Sequence, residues 1–426
     1  DDAPGHTHAA GAVYTMSNAT TGNSILVFNR AADGSLSPAG SYATGGLGAG
    51  RGLGNQNAVV LSEDQRWLFA VNAGSNEISV FAVRRAGLKL MDKVSSGGTL
   101  PVSIALDRNL MYVLNAGGTD NISGFTVGRH GKLTPLPGST RYLSGTGTAP
   151  AQVQFNPKGN VLVVTEKATN LIDTYTVDDA GFAHGPHVQS SAGITPFGFA
   201  FDERGRLYVS HASGGAAGAS SVSSYRVAND GGLQTISPTV ATTETAACWV
   251  VISKDGRFAY TTNAGSGSIS GYRVARDGQI TLRDVDGRTA DTGAGSAPLD
   301  MSLSRDGRYL YSLNSGTSTI GAFQVGVDGA LTALAGIGGL RFCQFHLAEN
   351  RARDQDFRIA ADLFADMLPA PALLALDVEQ LFGEVFAFHV ALLLSSCPAS
   401  CRASTSCCLG CGDKRKTWMA GTSVRT

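Results

Sequence analysis

Along most of the chain, short apolar runs alternate with polar turns in one recurring phrase. An apolar strand leads into an Asp-Gly-Arg turn, then a second strand ending in Asn, a small-residue turn and a third strand. The phrase is complete between 249 and 274. There the apolar run 249–253 meets the turn Lys254-Asp255-Gly256-Arg257, strand 258–263 ends at Asn263, and Ala264-Gly265-Ser266-Gly267 turns the chain into strand 268–274. The end of the second strand recurs at Asn18, Asn72, Asn115, Glu166, His211, Asn263 and Asn314, in steps of 54, 43, 51, 45, 52 and 51 residues.

Steps of roughly 40–50 residues are those of propeller blades, and seven occurrences predict an all-β, seven-bladed β-propeller over 12–340. Local chemistry agrees. Trp67-Leu68-Phe69-Ala70-Val71 and Tyr309-Leu310-Tyr311-Ser312-Leu313 are rich in aromatic and branched residues and are bounded by Gly, Asp and Asn, as strands are. The Asp-Gly pairs at 255–256 and 306–307 are hairpin signals, with Gly taking the positive φ. One four-stranded blade cannot cover both its faces, whereas stacking blades around an axis buries them between neighbours. Six innermost strands begin near Asn57, Val102, Ala151, Phe197, Cys248 and Leu299. Blade one opens directly at its second strand, near Ala12, so its innermost strand is expected from beyond Leu340, with 342–347 as the candidate.

Composition sharpens this picture in three places. The 54 glycines suit many tight turns and argue against a helical protein. Lys and Arg number 33 against 34 Asp and Glu, a net charge of -1, which gives no electrostatic case for nucleic acid or an anionic membrane. No uncharged apolar run reaches the roughly 18 residues of a membrane span; the longest candidate, 385–394, contains His389. Residues 1–11 read as a flexible tail, and a start at Asp1 without Met fits a processed periplasmic or secreted protein, with a cytoplasmic location as the alternative. The expected assembly is a monomer.

Residues 341–426 read as foreign to the repeat. Cys343, Cys397, Cys401, Cys407, Cys408 and Cys411 crowd there, against Cys248 alone before them, and Lys414-Arg415-Lys416 adds a basic run. An out-of-frame or fused extension, poorly ordered and irregular or partly helical at 358–368 and 373–394, is expected, broken by Pro369 and Pro371. The cysteine spacing lacks the paired CxxC of a zinc site, and His6 and His8 lie in the tail. No metal and no cofactor are expected.

Pro298-Leu-Asp-Met-Ser-Leu-Ser-Arg-Asp-Gly-Arg-Tyr-Leu-Tyr-Ser-Leu-Asn314, with the trailing Gly-x-Leu of Gly329-Ala330-Leu331 and Gly34-Ser35-Leu36, resembles the lactonase-type seven-bladed propellers. That family includes the propeller 6-phosphogluconolactonases and the carboxymuconate cyclases, and the resemblance covers about 12–340. It implies a lactone-acting hydrolase or cyclase. In the sugar-phosphate lactonases blade four begins with a Pro-Arg-His stretch suited to an anionic substrate; this chain has Pro150-Ala151-Gln152.

Propeller topology places strand entries and second-strand ends on one rim of the central channel, where residues of all blades converge. The strand-entry column reads Asn57, Ser103, Gln152, Phe197, Trp249 and Asp300. Asn at a strand end is ordinarily a turn former, so the departures at Glu166 and His211, in neighbouring blades, stand out as candidate catalytic base and acid. Gln152, Lys167, Phe197, Trp249, Asp300 and Asn263 are the candidate binding residues for a small lactone or carboxylate. Lys167 would stabilise an oxyanion and the aromatics would stack on a flat ring. Cys248 reads as a buried structural thiol. The competing readings are a non-catalytic exported propeller that binds a ligand or protein on the same rim, and a variant impaired by its altered C-terminus.

Overall fold

The computed structural model describes residues 9–338, 346–350 and 357–360. Their strands form seven antiparallel sheets, the blades of a β-propeller. From the axis outward, blade two runs Val59–Leu61, Trp67–Asn72, Glu77–Arg84 and Gly87–Ser95. Blade three begins at Thr99–Asp107, blade four at Pro150–Phe155, blade five at Pro196–Phe201, blade six at Ala247–Ile252 and blade seven at Pro298–Leu303. Middle strands such as Val161–Glu166 are buried along their whole length, whereas outer ones such as Leu36–Ala43 are largely exposed. That gradient is the expected result of pressing sheet faces together around an axis. Among the described residues the helical content is a single 3₁₀ turn, Ser213–Gly215, and no helix is long and apolar enough to cross a membrane.

Blade one is Gly11–Met16, Ser24–Arg30 and Leu36–Ala43, closed on its axial side by His346–Asn350, which pairs antiparallel with residues 12–16. The closing strand therefore sits a few residues beyond the expected 342–347. A further strand, Phe357–Ala360, pairs with it. Strand replaces the helix expected to start at 358, because backbone groups there find partners on the neighbouring strand edge. The remaining tail features, including the cysteine cluster, the basic run and the histidines at 6 and 8, lie outside the described residues.

Tyrosines of three blades also clasp the outer turn of the next. Tyr112 donates to the Gly181 carbonyl at 2.8 Å, Tyr260 to Gly329 at 3.0 Å, and Tyr311 to Gly34 at 2.5 Å, the last tying blade seven to blade one. The Gly of the trailing Gly-x-Leu is required there. At Gly34 and Gly329 φ is +88° and +84°, and a Cβ would run into the rings of Tyr309 and Phe258 on the preceding blade.

The innermost strands share a second device. Leu100, Ala149, Thr195, Ala246 and Ala297 hold left-handed φ between 44° and 61°. Each precedes a bulge at the strand entry, as at Pro101/Ser103, Pro150/Gln152 and Pro298/Asp300. Non-glycine residues in this region cost free energy, and bulges re-aim side chains at barrel and channel rims. The bulge corrects the expected strand-entry column. Phe197 holds the bulge position of Val102, Ala151, Cys248 and Leu299, and Gly198 takes the place equivalent to Ser103, Gln152, Trp249 and Asp300.

Candidate functional site

Second-strand ends beyond blade one form buried latches within the blades, whereas the Asn18 side chain holds Ala49 and Arg51 of the connection to blade two. Asn72 Nδ2 donates to Ser79 Oγ at 2.8 Å, and Asn263 Nδ2 donates to Ser270 Oγ at 2.8 Å and Ser268 Oγ at 3.1 Å. In each case the strand end is joined to the adjacent third strand. Asn263, a candidate binding residue, is fully buried in this role. Glu166 and His211 hold the same register in blades four and five, opposite Pro150 and Pro196 as Asn314 lies opposite Pro298.

Blade four replaces the amide–hydroxyl latch with two carboxyl groups, Glu166 and Asp173, both fully buried. The Ser144 N–H reaches Glu166 Oε1 at 3.0 Å and Asp173 Oδ2 at 2.9 Å, and the hydroxyls of Ser144 and Thr169 donate to Glu166 Oε2 at 2.6 and 2.5 Å. Burial, reinforced by the Glu166 charge beside it, pushes Asp173 up to about 8. At neutral pH Asp173 is therefore held protonated.

In blade five His211 Nε2 lies 2.7 Å from Ser223 Oγ, and Nδ1 lies 3.4 Å from Ser191 Oγ. Its complete burial lowers its pKa to about 3, so the ring is neutral. The expected acid–base pair is not joined: among the described residues Glu166 and His211 share no hydrogen bond or common partner, and both are sealed from solvent.

A different group of residues converges at the axis. The connection between blades one and two crosses the ring, and residues 53–57 are buried against the opposite side. Lys167 Nζ, from blade four, donates to the Gly54 carbonyl, and Trp249 Nε1, from blade six, donates to the Asn55 carbonyl at 2.9 Å. Gln56 N–H reaches the Ala151 carbonyl at 3.1 Å, and its side-chain Nε2 reaches the Val250 carbonyl at 3.4 Å. Phe197, from blade five, holds Lys167 Nζ 4.7 Å above its ring and packs on Trp249 with centroids 5.1 Å apart. Gly198 leaves the room these groups need, since a Cβ there would strike Gln56 Oε1 and the Cys248 carbonyl.

The sequence-predicted binding residues thus divide. Lys167, Phe197 and Trp249 meet at the axis. Gln152 instead clasps blade five, its Oε1 accepting from Phe199 N–H at 2.7 Å and its Nε2 donating to the Phe199 carbonyl at 2.9 Å. Asp300 is buried at the entry of blade seven. Cys248 is buried beside Trp249, and burial raises its thiol pKa, with Lys167 pulling the other way. Sequence reasoning missed Asp173 and the crossing segment. The second had a signal: glycine at 45, 46, 48, 50, 52 and 54, ahead of Asn55-Gln56-Asn57.

The seven antiparallel blades arranged around one axis define a seven-bladed β-propeller. The chain belongs to the family described as lactonase, 7-bladed beta-propeller, whose model matches residues 13–146 and 192–298. The unmatched interval covers blade four, with Gln152, Glu166, Lys167 and Asp173. Solved structures similar to this chain include a candidate 6-phosphogluconolactonase from Bacteroides fragilis, at 21% identity over 81% of this chain and 99% of that one, with a TM-score of 0.63. A second candidate 6-phosphogluconolactonase, from Bacteroides uniformis, is 19% identical over 79% and 99%, with a TM-score of 0.64. The periplasmic gluconolactonase of Pseudomonas aeruginosa is 17% identical over 83% and 100%, with a TM-score of 0.59. At these identities the likeness is one of fold. No curated protein matches the chain by sequence.

Proposed function

We propose that this protein is a lactone-acting enzyme, a lactonase-like hydrolase or cyclase, that binds a small unphosphorylated lactone at the axis beside Lys167. The observation that carries the reading is the convergence of Lys167 Nζ, Trp249 Nε1 and the Phe197 ring from three blades, in a chain of the lactonase family. A lactone carbonyl gains negative charge as water adds to it, and an ammonium donor held in a dry site stabilises that charge. The aromatic pair supplies a flat wall for the ring. Gln152 supports an unphosphorylated substrate: a neutral amide spent on the Phe199 backbone stands in the stretch where the sugar-phosphate lactonases carry Arg and His. The likeness to the periplasmic gluconolactonase of Pseudomonas aeruginosa favours the same substrate class and an exported location. Glu166 and His211 act in this reading as latches that position the strand ends, with Lys167 following Glu166 directly.

The test is proton release from phosphorylated, plain sugar and aromatic-acid lactones. Turnover of the plain sugar lactone is expected, falling by about 10²–10³ in Lys167→Met, the usual loss for a removed oxyanion donor. Glu166→Gln and His211→Asn are expected to retain turnover within about tenfold. A second reading, a non-catalytic binding propeller, is favoured by the sealed and separate placement of Glu166 and His211. A folded protein that binds but does not turn over any of the three lactone classes would select it.

A further inference from the structure

The axial donors are already occupied, and by the chain itself. Lys167 Nζ and Trp249 Nε1 both spend hydrogen bonds on consecutive backbone carbonyls, those of Gly54 and Asn55. We propose that residues 52–56 form a strap that fills the ligand site in the empty protein. A small lactone, or the hydroxycarboxylate it opens to, then enters by displacing the strap and taking over both donors. This rests on the lactone-site reading above and adds how the site opens and which atoms receive the ligand.

Three features of the segment support displacement. The first is a fixed hinge at its outer end. Asn18 Oδ1 accepts from Ala49 N–H at 2.8 Å, Asn18 Nδ2 donates to the Arg51 carbonyl at 2.7 Å, and the Asn18 carbonyl accepts from Gly50 N–H at 2.9 Å. Leu47 is tied to blade two through Ser75 Oγ and Gly74 N–H. These contacts pin the segment to blades one and two, and beyond them the chain swings across the axis.

The second feature is composition. Gly52 and Gly54 flank Leu53, and Gly54 holds φ +61°. Glycine permits the alternative backbone conformations that opening needs, so the closed state is held mainly by the contacts at Gly54, Asn55 and Gln56.

The third is an unsatisfied group. The Asn55 side chain is fully buried, and among the described residues neither its Oδ1 nor its Nδ2 has a hydrogen-bond partner; Gln56 Oε1 is in the same condition. A buried amide without partners disfavours the arrangement that buries it. The closed strap therefore carries an internal cost that opening relieves, and an oxygen-rich ligand supplies partners for the exposed amides.

The ligand class follows from the donors. One ammonium and one indole N–H, beside an aromatic face, match adjacent oxygens on a small ring, as in a lactone's carbonyl and neighbouring oxygens or in a carboxylate. Because the ligand binds only the open state, its apparent affinity is reduced by the fraction of molecules that are closed.

Hydrogen exchange on the full chain, with gluconate as equilibrium probe and D-glucono-1,5-lactone for turnover, tests the proposal. Saturating gluconate is expected to accelerate amide exchange across 52–56 at least tenfold, the Gln56 amide included, while exchange at 47–50 is unchanged. Gly54→Ala, whose Cβ would strike Lys167 Nζ in the closed strap, and Gln56→Ala, which removes one tether, are each expected to lower KM at least threefold. Saturable gluconate binding with unchanged or slowed exchange at 52–56, or a raised KM in both variants, overturns the strap and leaves the lactone site standing. Absence of both saturable binding and turnover overturns the lactone reading and the strap with it.

Discussion

Blades four and six solve one structural problem with different chemistry. In blade six Asn263 and Ser270 join strand end to third strand through neutral groups. In blade four the same register brings Glu166 beside Asp173, two buried carboxyl groups that share one backbone donor at Ser144. The first latch is indifferent to pH. The second holds only while one carboxyl keeps its proton. Blade four is also the blade over which the family match lapses. The contrast teaches that an unusual titratable residue in a repeat is to be read against its repeat neighbours before it is given a catalytic role.

The largest expected effect comes from deleting one side of each latch. Asp173→Ala removes a buried carboxyl that accepts from Ser144 N–H beside Glu166 and opens a cavity, a loss of about 3 kcal/mol at pH 4 where Asp173 is protonated, whereas Asn263→Ala removes neutral bonds at about 1 kcal/mol. Urea unfolding at pH 4 measures both, and equal costs would dissolve the distinction between the blades.

Next in size is the pH dependence. Asp173 is raised from an ordinary 3.8 to about 8 in the folded protein, so between those values the folded state holds a proton that the unfolded state has released. Stability from this group is fully present below about pH 4, declines by up to ~1.4 kcal/mol per pH unit as pH rises, and levels off above about 8. Asp173→Asn should abolish that decline and be more stable than the parent at pH 8.5, as read from Tm across pH. An unchanged slope in the variant would show that Asp173 is ionised throughout.

The smallest effect is expected in blade five. His211 is depressed from 6.5 to about 3, so the unfolded chain binds the extra proton and stability falls as pH drops below about 6.5. His211→Asn, which restores the residue of most other blades, should stay within about 1 kcal/mol of the parent at pH 7. It should also flatten the acid limb between pH 4 and 6. A parent-like acid limb in the variant would assign that limb to other groups.

Repetition made the fold legible. Strand length, Asp-Gly turns and the spacing from Asn18 to Asn314 are local and recur seven times, so errors at one blade are corrected by the others. The burial of Cys248 and the strand-entry place of Trp249 were readable for the same reason, since a residue's register in the repeat gives its layer. The bulge at the entry of five innermost strands was not readable, because it adds one residue without any change in hydrophobic pattern; this is why Phe197 was placed one position off. The Glu166–Asp173 pair was hidden for a related reason. The two residues are close only because adjacent strands bring them together, and the sequence shows Asp173 as one more polar position in a strand.

By itself, then, the sequence determined the number of blades, their order and the residue types at each rim, because these follow from short-range patterning and from turns that few residues can make. The tertiary structure alone decided which rim residues meet. Lys167, Phe197, Trp249 and the Gly54 and Asn55 carbonyls come from distant parts of the chain and share a site because the ring brings their blades to one axis. Closure also converted Glu166 and His211 from rim residues into buried ones, since packing each blade against the next removes water from every strand end at once.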